Sequence, residues 1–242
     1  MKINIKRFNQ NQENFINQYE VHNQNLLQSL IEIRNNFDAT LTFRCGCKSG
    51  VCGSCSVRVN GVEKLACKTK IKKNDLIEPI KNAKVLKDLV VDVSHETLLI
   101  KRTNLSINEE YIYNEVNNED IKNIDLQSNC ILCNSCYSAC PIYVVNKEFL
   151  GPFALTKALR YAKDKKTFNN SLIIDSIQSN GIWDCTLCSS CTLVCPQGID
   201  SKSDIMQLQN LSVQKGYSNP YQQSFDFNSE FDNFGGFNPN GF

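Results

Sequence analysis

The sequence predicts an α+β chain of two unlike parts, a mixed β and α part followed by a helical one. Three observations carry this. Apolar residues alternate with polar ones near the N-terminus and soon after recur at helical spacing. At about residue 100 the texture changes to polar, helix-permissive sequence. The thirteen cysteines fall in three groups, at 45–67, 130–140 and 185–195, one in the first part and two in the second.

In chain order, "KINIKRF" at 2–8 sets Ile3 and Ile5 between charged and polar residues, a strand pattern. "LLQSLIEIRNN" at 26–36 puts Leu26, Leu27, Leu30 and Ile31 at helical spacing. "LTF" at 41–43 and "SVRV" at 56–59 read as short strands. Asn60-Gly61 is a two-residue hairpin turn leading into "VEKLAC" at 62–67. "VLKDLVVDV" at 85–93 closes the first part, giving expected domains at 1–100 and 101–216. In the second, "NEEYIYNEVNNEDIKNI" at 108–124 is polar and helix-permissive. "GPFALTKALRYAKD" at 151–164 is an amphipathic helix between the second and third cysteine groups, with Phe153, Leu155, Ala158 and Leu159 on one side. The end of the chain is rich in Phe, Asn and Gly without Lys or Arg, and a disordered tail is expected at 217–242.

Composition narrows the function. With 41% hydrophobic and 21% charged residues the chain reads as globular, and a net charge of +1 offers no basic field for nucleic acid. The first residues lack the apolar run of a secretory signal. No stretch reaches the roughly 18 consecutive apolar residues of a membrane span, so any membrane role runs through partners or surface docking. Without a secretory signal, clustered cysteines point to metal or redox sites rather than disulfides. Both histidines, His22 and His95, lie outside the cysteine groups, which argues against mixed Cys/His zinc sites.

"CILCNSCYSACP" at 130–141 and "CTLCSSCTLVCP" at 185–196 repeat C-x2-C-x2-C-x3-C-P. In two-cluster ferredoxins the first three cysteines of such a run hold one cubane and the fourth ligates the other. One [4Fe–4S] cluster is therefore assigned to Cys130, Cys133, Cys136 and Cys195, and the second to Cys140, Cys185, Cys188 and Cys191. Structural zinc, the competing reading, usually shows paired C-x2-C units with four ligands per metal, which these runs do not follow. "RCGCKSGVCGSCSVRVNGVEKLAC" at 44–67 contains Cys47, Cys52 and Cys55 at the plant-type C-x4-C-x2-C spacing of a [2Fe–2S] site. Cys67 is the distant fourth ligand, brought back by the hairpin. Gly46, Gly50 and Gly53 suit a loop that must wrap a cluster closely. Cys45 is surplus: a spare thiol, a substitute for Cys47, or, as the x4 spacing favours, a bystander.

This order of sites resembles the iron–sulfur subunit of the succinate dehydrogenase/fumarate reductase family. The resemblance runs to about residue 215 and rests on "LTFRCGCKSGVCGSCSVRVNGVEKLAC", "LKDLVVDVS", "CPIYVVNKEFLGPFALTKALRYAKD" and "CTLCSSCTLVCPQGID". It implies a β-grasp plant-type ferredoxin domain followed by an all-α bacterial two-cluster ferredoxin domain. It implies an oxidoreductase subunit without catalytic residues of its own, relaying electrons between an FAD flavoprotein that interconverts succinate and fumarate and a quinone or quinol at a membrane-anchor subunit. Localisation would be peripheral on the inner membrane through those partners, with the cytoplasmic side favoured and the periplasmic side the alternative. The other reading is a three-cluster subunit of a different flavin dehydrogenase or a thiol:fumarate reductase.

Three positions depart from common members. Their last run keeps three cysteines around a [3Fe–4S] cluster, whereas Cys188 fills the missing place here and favours [4Fe–4S] over [3Fe–4S]. Val144-Val145 stand where a tryptophan of the quinone pocket is usual, and Thr186 where histidine is common. The pattern is most similar to the branch with a cysteine-rich anchor, the methylmenaquinol:fumarate reductase type. Lys64, Lys68, Lys70, Lys72, Lys73, Lys81, Lys84 and Lys87 form a basic interval, read as a solvated face, with docking of an acidic partner the sharper alternative. Trp183 is read as packing that shields a cluster.

Overall fold

The computed structural model describes residues 1–9, 13–105, 116–167 and 169–221. The expected tail from 222 onward, and the stretch 108–115 within the polar segment, lie outside the described residues.

The first part is a mixed five-stranded sheet. β1 (Lys2–Phe8) pairs antiparallel with β2 (Asn14–Glu20) and parallel with β5 (Leu76–Glu78). β5 pairs antiparallel with β3 (Ser56–Val59), which forms a hairpin with β4 (Val62–Leu65), so the order is β2-β1-β5-β3-β4. Asn60 and Gly61 have φ of 50° and 84°, the doubly left-handed turn whose twist matches the strands it joins. α1 (Leu26–Asn36) starts where the Asn25 side chain accepts from the Gln28 amide. It buries Leu26, Leu27, Leu30 and Ile33 in one core with Ile3, Ile5, Val57, Val59 and Ile77, which is the β-grasp arrangement.

Two expectations change here. "LTF" is not a strand: Leu41 is buried, and the backbone around it bonds a loop rather than a ladder. The Thr42 amide donates to Asp88 Oδ2 at 2.9 Å and its carbonyl accepts from the Leu89 amide at 3.2 Å. "VEKLAC" stays extended only to Leu65, then turns through a 3₁₀ segment, Ala66–Lys68, that carries Cys67 inward. Asp88, between β6 (Val85–Lys87) and β7 (Val90–Val91), is 1% exposed and takes a forked pair of bonds from Arg7, at 2.7 and 3.1 Å. Arg7 also reaches Asp38, so the hairpin is clamped to β1 by a buried charge network.

The second part is helical. α2 (Ser94–Arg102) sends Leu99 into its core. α3 (Asn118–Ser128) opens with a capping box between Asn117 and Asp120. Short helices α4 (Ser135–Ala139) and α8 (Ser190–Leu193) belong to the cysteine runs, α5 (Ile142–Val145) follows the first of them, and α7 (Ser171–Ser176) packs on α6 (Gly151–Ala162) and α9 (Ser201–Gln214). α6 is the centre of the bundle and packs chiefly on α9. Every residue from Gly151 to Thr156 is buried, so the one-sided pattern expected for this helix holds only in its later turns. Tyr217 and Tyr221 donate their hydroxyls to Asp175 and Asp184, so the first residues of the expected tail are tied to the helical body. Among the described residues no helix is long and apolar enough to cross a membrane.

The two parts meet across polar groups and close backbone contact. Ser138 donates to Glu63 at 2.8 Å and accepts from the Lys81 amide at 2.7 Å. The Gln197 side chain donates to the Gly50 carbonyl at 3.0 Å.

Candidate functional site

The loop before β3 is bent by Lys48, Gly50 and Gly53, all with positive φ, so that backbone amides turn toward sulfur. Cys47 Sγ accepts from the amides of Ser49 (3.3 Å) and Val51 (3.4 Å), and Cys52 Sγ from that of Cys47 (3.4 Å). Hydrogen bonds from Ser49, then from the Val51 amide, pull the Cys47 thiol down to about 5. Cys55 and Cys67 are buried, and burial pushes the Cys55 thiol up to about 11. Gly46 packs closely here: a Cβ there would lie 3.0 Å from Cys52 Sγ and 3.2 Å from Ser54 Oγ. Cys45 is exposed, and among the described residues no amide donates to its sulfur.

The two later runs share one local geometry. Leu132 and Leu187 have φ of 51° and 54°, and Asn134 and Ser189 have 61° and 67°. Cys133 and Cys188 each donate to the serine two residues on, Ser135 and Ser190, at 3.4 Å. The Leu187 and Ile199 amides donate to Cys185 and Cys195, both at 3.4 Å. α4 and α8 pack together, and each run's fourth cysteine is thereby delivered to the other's cavity. Cys130, Cys133, Cys136 and Cys195 line one small cavity. Cys140, Cys185, Cys188 and Cys191 line another.

Burial raises the thiols of Cys130, Cys133, Cys136 and Cys185, and brings Cys140 to about 12 and Cys191 to about 11. Buried neutral thiols facing one another have little to stabilise them, and a cationic cluster that binds them as thiolates removes that cost. At Cys188 burial works upward, but bonds that its sulfur as a thiolate would accept from Ser190 and Thr186 outweigh it and lower the thiol. Among the described residues no group of three or more His, Cys, Asp or Glu converges on a single-ion site. Four thiols around a cavity, left-handed backbone and amide–sulfur bonds suit iron–sulfur clusters.

Groups around the runs were not legible in the sequence. His95, to which sequence assigned nothing, stacks on Tyr137 at 4.0 Å and bonds Asn134 through Nε2 at 2.9 Å, bracing the first run from behind. Tyr143 is 1% exposed with an unpartnered hydroxyl, and a Cβ on Gly151 would lie 1.8 Å from it. Lys157 donates to the Cys130 carbonyl at 3.3 Å, and Lys202 lines the second cavity. Trp183 packs half-buried against the helical core and donates to Gln178 at 2.8 Å, as expected of a packing residue. Val144 and Val145 are 74% and 83% exposed, and all eight lysines of the basic interval are exposed. His22 bonds Glu32 at 2.7 Å on the surface.

The three sites follow one another through the molecule. Gly53 of the first loop lies against the first run, where a Cβ would meet the Ile131 carbonyl at 2.7 Å and Cys133 Cα and Cβ at 2.9 Å. Cys136, half-buried between the runs, interacts electrostatically with Cys191 as well as with Cys130, Cys133 and Cys195.

Comparison with known proteins agrees with this layout. Residues 2–97 match a 2Fe-2S iron-sulfur cluster binding domain and residues 127–199 a 4Fe-4S dicluster domain. The chain is 34% identical over 235 residues to the 8-methylmenaquinol:fumarate reductase iron-sulfur subunit of Wolinella succinogenes, covering 89% of this chain and 74% of that one. It is 34% identical over 232 residues to the fumarate reductase iron-sulfur subunit of Haemophilus influenzae, covering 86% and 91%. A chain of the Mycobacterium smegmatis Sdh1 complex in the apo form superposes with a TM-score of 0.81 at 21% identity, covering 91% of this chain and 98% of that one, a likeness of fold.

Proposed function

The chain belongs to the family of iron–sulfur subunits of succinate dehydrogenases and fumarate reductases, and we propose that it conducts electrons through three clusters held by named cysteines. Cys47, Cys52, Cys55 and Cys67 hold the [2Fe–2S] cluster. Cys130, Cys133, Cys136 and Cys195 hold the first [4Fe–4S] cluster, and Cys140, Cys185, Cys188 and Cys191 the second. The clusters supply one-electron carriers, while the chain's residues set their spacing, hydrogen bonding and access to water. The observation that carries this reading is the crossed delivery of Cys195 and Cys140 into opposite cavities.

The [2Fe–2S] end faces an FAD flavoprotein acting on succinate or fumarate, and the helical end faces a membrane anchor and its quinone or quinol. The complex lies on the inner membrane, with the cytoplasmic side favoured. Cys188, Thr186 and the exposed Val144-Val145 favour an anchor of the cysteine-rich kind. The domains follow the expected 1–100 and 101–216 closely, with α2 from Ser94 joining the helical domain through Leu99 and Tyr217 and Tyr221 bonded to it.

Anaerobic purification of the complex tests this. A flavin-bearing partner should co-purify, and succinate should reduce the clusters of this chain. A partner that reduces the clusters with a different substrate, while succinate leaves them oxidised, would replace this reading with that of another flavin dehydrogenase.

A further inference from the structure

Asp204 on α9 is 2% exposed, and among the described residues no lysine, arginine or histidine pairs with it. Its partners are neutral. Gln127 donates to Oδ1 at 2.8 Å, and Thr156 Oγ1 lies 2.8 Å from Oδ2. Thr156 Oγ1 also lies 3.2 Å from Ser201 Oγ. Both hydroxyl residues, unlike Asp204, line the first cubane cavity beside Cys130, Cys133, Cys136 and Cys195.

The hydroxyl of Thr156 carries one hydrogen, so the chain has two polarities. With Asp204 ionised, Thr156 donates to the carboxylate and Ser201 donates to Thr156. With Asp204 protonated, the acid donates to Thr156, Thr156 donates to Ser201, and the Ser201 hydrogen is free to turn to the cavity. Burying a carboxylate without a cation is costly, and burial raises the affinity of Asp204 for a proton.

We propose that Asp204 is a positioning residue that takes up a proton when the first cubane is reduced, with Thr156 and Ser201 carrying that change to the cavity wall. The inference rests on the proposed binding of a cubane by those four cysteines. In the step, one electron from an external one-electron donor reduces the cluster, and one proton from solvent converts the Asp204 carboxylate to the acid. Both leave on oxidation, so the charge of the site is conserved. Protonation favours the reduced cluster by removing a nearby negative charge and by freeing a hydroxyl to donate toward it.

Other charged groups around Asp204 are few. Asp200, the N-cap of the same helix, opposes ionisation and Lys163 at the end of α6 favours it. Lys157 of α6 is turned to the Cys130 carbonyl, and Lys202 of α9 to the second cavity. α3 presents the neutral Gln127. Asp175 of α7 and Asp184 in the turn before the last run bond Tyr217 and Tyr221, and α8 carries no charged residue.

The test is a redox titration of the first cubane in the intact complex, followed by EPR across pH, with iron content as the control for cluster loading. At full coupling the equilibrium constant for reduction falls tenfold per pH unit, 59 mV for one electron. In Asp204→Asn the amide can donate to Thr156 as the acid does, so the potential should stay near its low-pH value and lose its slope. Ser201→Ala should keep the acid but narrow the total shift. A pH-independent potential in the wild type, or a slope that survives Asp204→Asn, overturns the proposal; an unaltered shift in Ser201→Ala overturns the hydroxyl relay. Loss of the first-cubane signal in the wild type would overturn the ligand assignment itself, and this inference with it.

Discussion

Cys195→Ala removes the first cubane and spares the second, and Cys140→Ala does the reverse: this is the largest effect expected of any single substitution here. Cys195 ends the third group but lines the cavity of the second. Cys140 ends the second group and lines the cavity of the third. Pairs of substitutions expose the crossing by iron content alone. With one two-iron and two four-iron clusters, the wild type holds about ten irons. Cys130→Ala with Cys195→Ala strikes one cluster and leaves about six, whereas Cys185→Ala with Cys195→Ala strikes both and leaves about two. The opposite result, about six irons in the second pair, would mean that each run closes its own cluster. Losing either cluster also weakens the fold, because the thiolates are deprotonated and buried at its expense.

Gly53→Ala is expected to uncouple the [2Fe–2S] cluster from the first cubane. Its φ of +71° strains any side chain, and the added Cβ would meet backbone atoms of Ile131 and Cys133 rather than a yielding side chain. The left-handed backbone alone costs about 1–3 kcal/mol. The loop must then retreat from the first run. Electron transfer between the two clusters should slow measurably, because the tunnelling rate falls with every ångström added between them. Rapid-mixing reduction would show the [2Fe–2S] signal appearing while the cubanes lag. Simultaneous reduction at the wild-type rate would show that this contact does not set the spacing.

What was legible in the sequence was local. α1 and β3 fall on the residues expected because their periodicity and caps are carried by neighbouring residues. The Asn60-Gly61 turn follows from backbone freedom at those two positions. The cysteine runs could be read because ligand spacing is a short-range pattern, as is the left-handed bend that repeats at Leu132 and Leu187. What was illegible depends on residues far apart in the chain. β2 is an edge strand with mostly exposed side chains, so it has no apolar alternation to find. "LTF" has strand composition, but Asp88 and Leu89 take its hydrogen bonds. Gly53 read as loop freedom, and its closeness to Cys133 comes only from the meeting of the two parts. Asp204 and His95 gain their surroundings from α3, α6 and the first run, and nothing beside them in sequence announces it.

The central claim is that twelve cysteines hold three clusters, with Cys188 completing the last of them. EPR of the anaerobically purified complex, first oxidised and then reduced, with iron and sulfide counted, tests it most directly. A [3Fe–4S] cluster is paramagnetic when oxidised, whereas a typical [4Fe–4S] cluster is so only when reduced. The oxidised sample should be silent with about ten irons per chain, and signals should arise on reduction. A strong oxidised signal in a sample never exposed to air, with about nine irons, would mean that Cys188 binds no iron. The chain would then hold a [3Fe–4S] cluster at its helical end, with Cys188 outside the ligand set.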